Sequence, residues 1–180
     1  MYAPISRICK MKIYLLFCIA FCACLPSAHA ADLATGKPVP AFEIKTLAGQ
    51  SITPASVKGR VLVINLWATW CPPCRKEMPA IEEFYRQHHG QGLDVVAVSL
   101  DDRSDIEAVK QAMQPFSFPA ALEKDADLQR FGRIWRVPVT FVIDRNGILR
   151  HNGWEGDPLV DMAVLEKTVA PLLAPLPANN

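Results

Sequence analysis

Neither sign of charge dominates this chain. Nineteen Lys and Arg stand against eighteen Asp and Glu, a formal +1 over 180 residues, so the basic excess of a nucleic-acid-binding surface is missing. Its N-terminal apolar run, Ile13 to Leu25, falls short of the roughly 20 residues a spanning helix needs. Nine glycines and fifteen prolines show no triplet period, which excludes a collagen-like chain. There is no internal repeat and no low-complexity segment. At 51% hydrophobic and 21% charged residues, the chain is too apolar to remain disordered. Its length suits one domain, or one domain and a tail. What it does have is six cysteines, and their placement organises the rest.

Four of them, Cys9, Cys18, Cys22 and Cys24, lie in the first thirty residues. There Arg7, Lys10 and Lys12 precede the apolar run, and Ala28-His29-Ala30 follows it. A positive start, a short apolar stretch and a small-x-small site predict a secretory signal peptide over residues 1–30, cut after Ala30. A retained inner-membrane anchor is the alternative, and acylation at Cys22 or Cys24 a weaker one. Without the leader, sixteen basic residues face eighteen acidic ones, a net −2 over 150 residues. A domain of that size buries about 68–70% of its unfolded surface and needs no disulfide scaffold. Its two remaining cysteines, Cys71 and Cys74, are free to be chemical.

The domain, residues 31–180, reads as α/β with a central mixed sheet. Ala41–Leu47 alternates apolar and polar side chains, as an edge strand does, and Ala48-Gly49-Gln50 is its turn. Val61–Trp67, Asp94–Leu100 and Pro138–Asp144 are continuous apolar, β-branched runs, the mark of strands covered on both faces. Helices are expected over Pro72–His88, with a kink at Pro79, over Ser104–Met113, over Asp125–Trp135 and over 158–173. Arg145-Asn146-Gly147 supplies a hairpin turn into a last strand, Ile148–Asn152. Trp67, Trp135 and Trp154 are assigned to packing.

Chemistry concentrates at Trp70-Cys71-Pro72-Pro73-Cys74, between a buried strand and a helix. At the N-cap, Cys71 meets the helix dipole and unpaired N–H groups, which favour a thiolate. Pro72 and Pro73 have no N–H, so the Cys74 N–H is the donor best placed for the Cys71 sulfur. One helical turn brings the two sulfurs within pairing distance. Position assigns the roles: Cys71, at the exposed helix tip, attacks; Cys74, deeper, resolves; Trp70 packs beside them and limits access. A purely structural bridge closing so short a loop would constrain little. Haem attachment would need His where Arg75 stands, and His88 and His89, being adjacent, lack zinc-finger spacing.

A strand–CxxC–helix opening is the thioredoxin motif. Leu66–Pro79 (LWATWCPPCRKEMP) resembles the active-site segment of the exported bacterial thioredoxin-like proteins of the TlpA/ResA/DsbE group. Val137-Pro138-Val139-Thr140 is similar to that group's cis-proline loop, and the likeness covers about residues 36–172. It implies a thioredoxin-like fold with helices flanking the sheet and the group's αβ insertion between Asp101 and Trp135. It also implies a cis Val137–Pro138 bond facing Cys71, with the Val137 backbone, Trp70, Pro72 and Pro73 forming the surface that meets a partner. Asn65 stands where thioredoxins carry a buried Asp. Glu77 then either assists deprotonation of Cys74 from the same helical face or is an exposed acid paired with Arg75 or Lys76. The activity implied is thiol–disulfide exchange in the periplasm, using the Cys71–Cys74 disulfide and no other cofactor. A membrane electron donor of the DsbD type would re-reduce it. Substrates would be disulfides of partner proteins, in cytochrome c maturation or copper-site cysteines. A disulfide oxidase or isomerase and a non-enzymatic metal-handling module are the competing readings. The former lacks the large helical insertion of DsbA-like oxidases; the latter has only two thiols.

Overall fold

A computed structural model describes residues 33–173; the expected signal segment lies outside them. Seven strands form one mixed sheet: β1 Glu43–Thr46, β2 Ser51–Ile52, β3 Val61–Trp67, β4 Leu93–Ser99, β5 Ala120–Asp127, β6 Val139–Ile143 and β7 Leu149–His151. Their spatial order is β2-β1-β5-β4-β3-β6-β7. The strands β3, β4 and β5 run parallel, and β6, β7, β1 and β2 join antiparallel at the two sides. Helix α1 is Pro72–His88, α2 Ile106–Met113, α3 Met162–Thr168 and α4 Ala170–Leu173.

The apolar run of β3 is buried along its whole length because both faces are covered. Its alternation divides the core. Val61, Val63 and Trp67 meet Met78, Ile81 and Phe84 of α1, Val109 of α2 and Leu165 of α3 in one cluster. Leu62, Ile64 and Leu66 meet Phe131, Phe141 and Leu149 in the other. The same parity rule places Asn65 on the α1 side. Leu66 pairs with Val139, so the segment before β6 lies at the strand end from which the cysteine segment departs.

Several expectations are corrected. Ala41–Leu47 does not make an edge strand, because β2 pairs outside β1, Ile44 opposite Ile52. The expected helix over Asp125–Trp135 is absent. Its start is the end of β5, Gln129–Phe131 is a 3-10 turn, and Gly132 at φ 98 ends it. Pairing of β5 with β1 and β4 outweighs the helical spacing of Leu128, Phe131 and Ile134. Trp135, expected in the core, is 72% exposed. The helix expected over 158–173 starts later and is split, with Asp161 capping α3 by accepting from the Val164 N–H at 2.9 Å. Helix α1 has the expected bounds and runs through Pro79 without ending.

Candidate active site

After β3 the chain turns through Ala68–Trp70, and the Cys71 N–H donates to the Ala68 carbonyl at 3.1 Å. Asp101, two residues after β4, pins this turn: its buried carboxylate accepts from Thr69 N at 2.9 Å, Thr69 Oγ1 at 2.5 Å and Ser99 Oγ at 2.5 Å. Cys71 is thereby delivered to the N-cap of α1 with extended backbone, φ −100° and ψ 99°. Pro72 and Pro73 fill the first helical positions, and the first available donor, the Cys74 N–H, reaches Cys71 Sγ at 3.2 Å. No acid sits in the first turn; Arg75 and Lys76 follow Cys74, exposed. Cys71 and Cys74 are joined by a disulfide, with Cα atoms 5.4 Å apart.

The expected exposure is corrected at two residues. Cys71 is 4% exposed, not an open helix tip, because it closes one core cluster together with Trp67 and Ala68. Trp70 projects outward and is largely exposed. Cys74 is fully buried. Pro138 is buried behind a cis Val137–Pro138 bond, and Val137 is half-buried. Pro72 and Pro73 are exposed.

Of the two alternatives for Glu77, an exposed acid paired with Arg75 or Lys76 is excluded. The residue is 4% exposed. Its Oε1 accepts from Asn65 Nδ2 at 2.7 Å and its Oε2 from the Val160 N–H at 3.0 Å. Burial pushes its carboxyl up to about 7, and the donors from Val160 and Asn65 pull it only partly back. Asn65 also donates to Thr140 Oγ1 at 3.0 Å, so a buried polar chain joins β6, β3, α1 and the segment before α3. Sequence reasoning missed Thr140, Val160 and Asp101. The parity of β6, and an acid just after a buried strand on the cysteine side, were the available signals for the first and third.

Residues 35–152 match the AhpC/TSA family over more than half of the chain. The chain belongs to the AhpC/TSA family. Within it, the chain is 32% identical over 143 residues to the thiol–disulfide oxidoreductase ResA of Bacillus cereus, covering 77% of this chain and 82% of that one. A ResA of Bacillus thuringiensis is 34% identical over 114 residues, covering 62% of this chain and 65%, just under two thirds, of the relative. A solved thiol:disulfide interchange protein of the thioredoxin family from Chlorobium tepidum superposes with a TM-score of 0.64 at 27% identity, over 78% of this chain and 99% of that one. This member of the AhpC/TSA family therefore has the thioredoxin-like fold and is of the ResA/DsbE type.

Proposed function

We propose that the protein is a periplasmic thiol–disulfide reductase that acts on specific disulfides of partner proteins. The observation that carries this reading is the Cys71–Cys74 pair at the start of α1, with Cys71 as N-cap and the Cys74 N–H on its sulfur. In the reduced protein, helix dipole and N–H donor favour the Cys71 thiolate. It attacks a partner disulfide, forming a Cys71–partner bond and expelling the partner's other sulfur as thiolate. Glu77, on the same helical face as Cys74 and poised near neutrality, takes the Cys74 proton. Cys74 then attacks Cys71, releasing the partner's second thiolate. The partner gains two electrons, and the protein is left with the Cys71–Cys74 disulfide. A membrane donor of the DsbD type returns two electrons. By kinship with ResA, the partner class is apocytochrome c or copper-site cysteines.

Trapping tests the roles: Cys74→Ala should accumulate mixed disulfides through Cys71, and Cys71→Ala none. Equal trapping by both would refute the assignment. A reduction potential near the thioredoxin value of about −270 mV supports a reductant, and one near the DsbA value of about −120 mV an oxidant. Export by cleavage after Ala30 is tested by the N-terminal mass of the purified protein.

A further inference from the structure

Among the described residues, three large apolar side chains are exposed: Trp135, Trp70 at 63% and Leu159 at 45%. All three belong to segments at the disulfide end. Trp70 precedes Cys71, Trp135 leads into the Val137–Pro138 loop, and Leu159 precedes Val160, whose N–H reaches Glu77. Exposed apolar groups scattered singly are ordinary; their collection at one end of a molecule marks an interaction surface.

Trp135 is held in place. Its ring stacks on Trp154, with centroids 6.3 Å apart and planes 17° from parallel. Trp154 is anchored in turn, its Nε1–H donating to the Phe131 carbonyl at 2.5 Å. The Arg136 guanidinium lies 5.4 Å from the Trp135 ring centre and 6.0 Å from that of Trp154. Its Nη2 donates to the Gly153 and Trp154 carbonyls at 3.0 and 3.2 Å. A rigid aromatic ledge of this kind costs little entropy when a partner binds.

Charge selects the partner. Residues 130–136 carry Arg130, Arg133 and Arg136 and no acid, and Arg75 and Lys76 follow Cys74 in α1. None of these five cations has an ion-pair partner among the described residues. The segment around Leu159 has the opposite sign, with Glu155, Asp157 and Asp161. The surface on the Trp135 side thus asks for negative charge and an apolar side chain together. We propose that Trp135, Arg133 and Arg136 form a docking ledge selecting partner segments whose cysteine is flanked by Asp or Glu and one large apolar residue. The inference rests on the thiol–disulfide reading above.

The test uses the reduced full chain and three peptides that differ only in Glu, Gln or Lys beside a Cys–mercaptoethanol disulfide and a Leu. Each rate is normalised to that with dithiothreitol, which removes the intrinsic effect of the flanking charge. The Glu peptide should outpace the Lys peptide by about fivefold at low salt, and the ratio should approach one at about 1 M salt. Arg133→Glu should abolish or invert the ratio. Trp135→Ala should slow all three peptides and leave the ratio in place. Equal rates, or a faster Lys peptide, overturn the ledge. So does a concentration-dependent dimer lost on Trp135→Ala, which would make a second copy the occupant, or binding of phosphatidylglycerol vesicles through the same residues. The neutral hydroxyethyl disulfide separates the two readings. If it is not reduced, the thiol–disulfide reading fails; if it is reduced while the peptide ratio is flat, only the ledge fails.

Discussion

Glu77 is the residue at which burial, hydrogen bonding and chemistry meet. A carboxyl in water ionises near 4.5; here burial raises the value to about 7. Between those two pH values the unfolded chain releases its proton while the folded chain keeps it. Folding stability therefore falls as pH rises from about 4.5 to about 7, and this contribution is level outside that window. The gap corresponds to about 3 kcal/mol. Glu77→Gln removes the ionisation, although its amide must place NH2 against either the Asn65 or the Val160 donor. Urea denaturation of the oxidised wild type and of the variant across this range should show the stability difference shifting by about 3 kcal/mol in favour of Gln as pH rises. A difference independent of pH would mean that Glu77 titrates normally. In turnover, the same substitution should remove an inflection near pH 7 from the resolution of the mixed disulfide.

At the scale of elements, the segment after β7 and the start of β6 are fitted together at one glycine. A Cβ on Gly153 would lie 2.4 Å from the Thr140 carbonyl oxygen and 2.5 Å from its nitrogen, both backbone atoms of β6 that cannot rotate away. Gly153→Ala should therefore cost about 3 kcal/mol, read as a lower urea midpoint with an unchanged slope. A loss below about 0.5 kcal/mol would mean that the two segments separate freely. This contact was not legible in the sequence, because a close backbone approach leaves no periodic signal. Long apolar runs did leave one, so β3, β4 and β6 were placed within a residue or two, and the Cys71 cap with its prolines fixed the start of α1. Strand β5 left none: Ala120-Ala121-Leu122-Glu123-Lys124 is made of helix formers, and only pairing with its neighbours makes it a strand. The Asp125–Trp135 reading failed by the same override, although Gly132 was a visible break. At the site, both cysteines and Pro138 carried sequence signatures. The burial of Glu77 depended on Val160, 83 positions away, and no local pattern encodes that.

Across the whole molecule, the sheet has one reactive end and one fastened end. Val61 pairs with Leu93 and Leu62 with Ile143, which places the starts of β3 and β4 and the finish of β6 together, opposite the disulfide. Arg145, read from the sequence as a turn residue, lies there half-buried. It donates to four main-chain carbonyls: Gly59 at 2.8 Å, Gln91 at 2.8 Å, Leu172 at 3.2 Å and Leu173 at 3.0 Å. The last two belong to α4, whose final carbonyls have no helical partner, so one guanidinium ties the C-terminal helix to the loops preceding β3 and β4. Gly92, at φ 93, leaves room for it, since a Cβ there would stand 2.9 Å from Arg145 Nη1. Arg145→Met keeps the apolar stem and removes all four donors. It should cost about 2 kcal/mol, discounted for the solvent that reaches part of the group, and it should speed amide exchange across 162–173 ahead of the strands. Helices α3 and α4 pack on the same core cluster as Cys71 and Cys74, so the two ends share packing. The buried sheet between them is close-packed and rigid, so the rate of hydroxyethyl disulfide reduction should stay within about twofold of wild type. A larger fall, at a temperature where the variant remains folded, would show that the C-terminal helices hold Val160 on Glu77 and that the fastened end tunes the reactive one.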